Sequence, residues 1–176
     1  MNRRTFLLHG ARALAGFMIT GCLPAFAAQP RTLSFYHTHT GEYLDVLYAR
    51  GDHYDPLVLQ MVNRYLRDFR TGDIHDIDLR LLDILWVIQQ RLGLTRPVYE
   101  VISGYRSPKT NAYLRRTTTG VAKNSLHMQG RAIDVRLQGV DTRHLQLCAI
   151  GLRAGGVGYY HRSNFVHLDT GSVRIW

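Results

Sequence analysis

Apolar and polar positions alternate along "RTLSFYHTHTGEYLDVLYA" around a Thr-Gly pair, which predicts a β-hairpin with strands near 32–38 and 42–48. The spacing then changes to that of a helix. "PLVLQMVNRYLRDFR" repeats apolar residues every three or four positions behind Pro56, a residue suited to a first helical turn. "DLRLLDILWVIQQRLGL" predicts a second helix, stopped by Gly93 and Pro97. "VYEVISGY" is β-branched and aromatic and reads as a strand. A short helix over "SPKTNAYLRR" follows, then a loop over "GVAKNSLHMQG" and a strand over "RAIDVRL". "DTRHLQLCAIGLRA" predicts a helix capped by Asp141 or Thr142. "GGVGYY", "FVHLD" and "VRIW" close the chain as short strands. This order predicts an α+β domain: helices early, and a mostly antiparallel central sheet, flanked by helices, carrying the later motifs.

The first thirty residues do not fit that alternation. "MNRRTFLLHGARALAGFMITGCLPAFAAQP" has a basic start, an apolar middle and small residues before a cleavage point. It reads as a secretory signal, too short and too interrupted to span a membrane. Arg3 and Arg4 followed by Thr5, Phe6 and Leu7 resemble the twin-arginine export motif. "AFA" ending at Ala27 divides the chain into a signal, 1–27, and a domain, 28–176. The alternative is "ITGC", which resembles a lipobox and would anchor the protein to a membrane through a lipid on Cys22. Cys148 is the only other cysteine, and its apolar helical setting predicts a buried thiol.

At 176 residues the chain is long enough for one domain with a core. Its formal charge of +9 falls to about +6 without the signal, and only Lys109 and Lys123 among the cations are lysines. A basic surface admits an anionic partner. No aromatic-plus-basic motif points to nucleic acid, which is not expected as a partner.

Candidate chemistry sits in the polar residues that interrupt apolar strands. His53, His75 and His144 lie among polar neighbours and read as surface residues, and His37 and His39 as solvent-facing hairpin residues. Asp134 within "AIDV" is different. A carboxylate there is costly unless paired with Arg131 or Arg136, or bound to a metal. His127 lies seven residues earlier, about 23 Å if fully extended. For both to reach one ion the chain must double back, and Gly130 can supply the bend. His167 in "NFVHLD" is a third ligand type in an apolar strand. Three protein ligands with a fourth position left for water is the layout of a catalytic zinc. Asp169 shares the face of His167, and either orients a ligand or accepts a proton from water at the metal. A partner for one of the arginines is the simpler reading of Asp169.

"SLHMQGRAID" fits the S-x-H-x-x-G-x-A-x-D motif and resembles the D-Ala-D-Ala metallopeptidase family, grouped by zinc-site architecture with lysostaphin-type peptidases and the hedgehog signalling domain. "ISGYRS" and "GGVGYYHRSNFVHLDTG" resemble its MepK-like murein endopeptidase branch, and the resemblance runs essentially the length of the chain. It implies a hedgehog/D-Ala-D-Ala-peptidase-like fold and Zn2+ held by His127, Asp134 and His167. It implies a periplasmic hydrolase of peptidoglycan stem-peptide crosslinks, D-Ala–diaminopimelate or diaminopimelate–diaminopimelate, acting as a monomer in cell-wall remodelling. Arg106 matches an arginine that binds a substrate carboxylate or polarises the scissile carbonyl. Ser125 is expected to support the ligands from behind. Many relatives place an acid three residues before the last histidine as general base; here that position is Asn164. Asp169 is the first candidate for the base and His161 the second. Two rival readings remain: a zinc-containing wall-binding domain without catalysis, and a D,D-carboxypeptidase or dipeptidase.

Overall fold

The computed structural model describes residues 29–176; the expected signal and Cys22 lie outside the described residues. An eight-stranded sheet organises the chain. Its strands are β1 (Pro30–His37), β2 (Tyr43–Arg50), β3 (His53–Tyr54), β4 (Val98–Ser103), β5 (Ala132–Leu137), β6 (Gly156–Tyr160), β7 (Phe165–Asp169) and β8 (Arg174–Ile175). The spatial order is β3-β2-β1-β4-β5-β7-β6-β8. The expectation of a mostly antiparallel sheet needs correction, because the sheet is mixed. β1 pairs β4 in parallel and β6 pairs β8 in parallel, while the other neighbours are antiparallel. A parallel pair needs a long crossover. Here α1 (Pro56–Tyr65) and α2 (Leu79–Arg91) lie on the path from β1 to β4.

Those helices, with α4 (Thr142–Leu152), cover one face of the sheet. Leu33, Phe35, Tyr99, Val101, Ile133, Val135, Val166 and Leu168 point into that core. α2 is the central helix and buries Leu81, Leu82, Leu85 and Ile88. Asp55, Asp78 and Asp141 cap the three helices by accepting from first-turn amides. α3 (Pro108–Thr117) is capped by Ser107. Because strand side chains alternate, the residues between the core positions face the other way. Asp134, Arg136, Phe165 and His167 therefore line an open cleft on the uncovered face of the sheet. Among the described residues no helix is long and apolar enough to cross a membrane.

Two expectations about single residues fail. His37 is fully buried, because it continues the inward series of Leu33 and Phe35 and packs against Tyr65 and Phe69. Cys148 is half-buried at the edge of the core.

Candidate metal centre

β5 and β7 are antiparallel neighbours in which Asp134 is paired directly with His167. The third residue arrives from a loop. Ser125 opens a 3-10 turn, Leu126–Gln129, by accepting from the His127 amide. Gly130 closes it at φ +64°, a left-handed conformation that returns the chain to β5. A Cβ on Gly130 would lie 2.0 Å from the Asp76 carbonyl oxygen, so glycine is also required by space. The bend brings His127 onto Asp134 and His167.

The three side chains are buried and their ligand atoms lie within 4.8 Å of one another. His127 Nε2 is 3.2 Å from His167 Nδ1 and 3.3 Å from Asp134 Oδ2, and His167 Nδ1 is 2.8 Å from Asp134 Oδ1. The far nitrogen of each ring is also occupied. His127 Nδ1 lies 2.7 Å from the Gly104 carbonyl oxygen, which accepts only if that nitrogen carries the proton. His167 Nε2 lies 3.1 Å from Asp169 Oδ2 and donates to it. Both remaining lone pairs then point at one spot beside a carboxylate. Two lone pairs and a negative charge facing each other in a buried site call for a cation. His, His and Asp donors suit zinc or another borderline divalent ion.

The electrostatics agree. Burial alone would raise the Asp134 pKa, but His127 and His167 hold the carboxyl well below the usual range. Burial lowers that of His127. Burial would lower the His167 pKa, but hydrogen bonds to Asp134 and Asp169 outweigh it and push it up to about 9.

Arg106 borders the cluster, 3.5 Å from Asp134 Oδ2 through one guanidinium nitrogen. Its amide donates to the His127 carbonyl, and its Nε is buried without a partner among the described residues. Arg131 and Arg136, the alternatives considered for Asp134, are engaged elsewhere, Arg131 with Asp78 and Thr170 and Arg136 with Glu100. The cleft above has a volume of about 810 Å³. Tyr160, Phe165 and Trp176 line it, the Trp176 ring 5.3 Å from that of His167.

A peptidase family model described as peptidoglycan L,D-endopeptidase MepK matches residues 25–176. The chain belongs to the MepK peptidase family. It is 42% identical over 177 residues to the probable peptidoglycan L,D-endopeptidase MepK of Haemophilus influenzae, covering 99% of this chain and 95% of that protein. It is also 42% identical over 179 residues to the peptidoglycan L,D-endopeptidase MepK of Escherichia coli K12, covering 99% and 97%.

Within this MepK-family chain the residues considered for the base, and Asn164, lie outside the cleft lining. Asp169 is buried behind His167, where its carboxylate accepts from the amides of Gly156 and Gly171 and from both terminal nitrogens of Arg174. Burial would raise its pKa, but these bonds and His167 hold it well below the usual range. His161 is exposed on the turn after β6, beside Tyr159 and outside the cleft lining. Asn164, at φ +50°, accepts from the Thr142 hydroxyl, also outside the lining. Sequence reasoning missed Gly104, which acts through its backbone, and Trp176, which carries no motif signal. It also missed His39 and Arg70, which line the cleft.

Proposed function

We propose that the protein is a zinc metallopeptidase that hydrolyses peptide crosslinks of peptidoglycan during cell-wall remodelling in the periplasm. The observation that carries this reading is the convergence of two histidine lone pairs on Asp134 at the floor of an open cleft. Family membership supplies the substrate class, since the relatives are named peptidoglycan L,D-endopeptidases. We take the bond cut to join an L- and a D-centre, as between two diaminopimelate residues. The fold is of the D-Ala-D-Ala-peptidase kind, and export follows the twin-arginine signal read over 1–27.

Zinc held by His127 Nε2, His167 Nδ1 and Asp134 would polarise the scissile carbonyl and make a water acidic enough to attack at neutral pH. Gly104 and Asp169 keep both rings in the tautomer that leaves those lone pairs free. Arg106 presents a buried, unpartnered Nε beside the cluster, able to donate to the oxygen on which charge develops. Among the described residues, Asp134 is the only acidic side chain in the lining. The titratable side chains there that are neither candidate ligands nor arginines are His39 and Tyr160. Burial and then Arg70 lower the pKa of His39, so it is neutral and can accept.

The lack of a second carboxylate favours one other reading, a zinc-containing wall-binding domain without catalysis. Defined crosslinked muropeptides separate the possibilities. Purified domain 28–176 should convert dimers to monomers, and chelator or His127→Ala should abolish the conversion. Release of free D-Ala instead would make it a carboxypeptidase. Sacculus binding with no chelator-sensitive product would leave the binding domain.

A further inference from the structure

Besides the metal ligands, the cleft lining carries an arginine that has no ion-pair partner among the described residues. Four arginines line the cleft. Arg136 is paired with Glu100 and Arg174 with Asp169. Arg106 shares Asp134 with the two histidines. Arg70 has no ion-pair partner among the described residues.

Arg70 is nevertheless held in place. Its guanidinium lies 4.2 Å from the centre of the Phe69 ring, and Phe69 stacks on His39 at 4.4 Å. Its amide donates to Asp68 Oδ1, and the other oxygen of Asp68 accepts from the amide and hydroxyl of Ser107, the neighbour of Arg106. One buried carboxylate therefore ties together the backbones that carry Arg70 and Arg106. An arginine without an ion-pair partner in the lining of an open cleft suits an anion, and a planar guanidinium suits a carboxylate.

We propose that Arg70 is a specificity residue that binds a free carboxylate of the stem peptide beside the scissile bond. This rests on the peptidoglycan reading given above. Diaminopimelate at a crosslink carries such a carboxylate; its amidated form does not. Arg70 is exposed, so replacing it leaves the fold intact, which the melting temperature checks.

The experiment compares Arg70→Ala, Arg70→Lys and the parent on crosslinked muropeptides with free or amidated diaminopimelate. The parent should bind the free form better by about tenfold, the scale of one charge-assisted hydrogen bond. Arg70→Ala should raise KM about tenfold on the free form and leave KM on the amidated form unchanged; any change in kcat through His39, whose pKa Arg70 lowers, would be common to both forms. Arg70→Lys should fall between. An equal rise in KM on both substrates, or a fall in kcat with KM unchanged on the free form, would overturn the assignment. If the parent cleaves neither peptide, the endopeptidase reading fails. Calorimetric titration of the same peptides into zinc-loaded protein then tests Arg70 directly, where equal affinity for free and amidated forms overturns it.

Discussion

Asp169 shows how a single residue is understood only with its partners. The sequence places it on the face of His167, two residues away, and leaves open whether it takes a proton or orients the ligand. The structure surrounds it with four donors besides His167. Asp169→Asn should therefore weaken metal affinity about 10–100-fold, the usual effect of losing a group behind a ligand. The matching loss of activity should be recovered in excess zinc, as measured by chelator competition and turnover on the same sample. A loss that excess zinc does not restore would return Asp169 to a role in proton transfer. His37 carries a second prediction. Burial, then His39, push its pKa down to about 4, with Glu42 opposing and Arg67 adding to the shift. The unfolded chain takes up this proton near pH 6.5, before the folded protein does. The histidine's contribution to stability is thus complete above about 6.5 and is lost as pH falls toward about 4. In zinc-loaded protein, the stability difference between the parent and His37→Gln should stay flat above that window and shrink through it. Denaturant titrations at several pH values would show this, and a pH-independent difference would refute it. The alternation Leu33, Phe35, His37 already pointed this ring inward. Weighing residue type above period is what hid it.

At the scale of elements, the sequence was most legible where one physical cause acts alone. The four helices of the described residues were each read from their segments, the first by its apolar spacing, and three aspartates and a serine cap them as their types suggest. The order of strands was not legible, because the neighbours of β1 and β8 are decided by crossovers and packing rather than by local pattern. The bend between His127 and Asp134 was legible, since only glycine adopts φ +64° freely. What fixes it further is the Asp76 carbonyl packed against Gly130, which no spacing reveals. Gly130→Ala must strain the backbone and push that carbonyl away. It should cost more than about 1 kcal/mol in stability and should also weaken zinc binding, because the turn sets where His127 lands. A variant with parental zinc affinity would mean that the turn does not position the ligand.

Over the whole molecule, the division of the sheet into two faces explains why the site lies where it does. Helices α1, α2 and α4 cover one face, and the other, left open, exposes the alternating positions of β5 and β7 as a cleft floor. The three candidate metal ligands come from these two central strands and from a loop that also contacts Gly104 and Arg106, just after β4. An ion there would join segments far apart in sequence, and the unfolded chain cannot reproduce that arrangement. Binding to the folded state alone stabilises it by about 2.7 kcal/mol when free metal exceeds its Kd a hundredfold. For a domain of this size that corresponds to a melting temperature about 5–10 °C higher. Stripping the zinc with chelator should lower the transition by that amount, and readdition should restore it. His127→Ala should melt at nearly the same temperature with and without chelator, since it keeps only two of the three ligands. Scanning calorimetry of the four samples tests the linkage without reference to activity. A chelator-induced shift in His127→Ala as large as in the parent would place the stabilising metal somewhere other than between β5, β7 and the Gly130 turn.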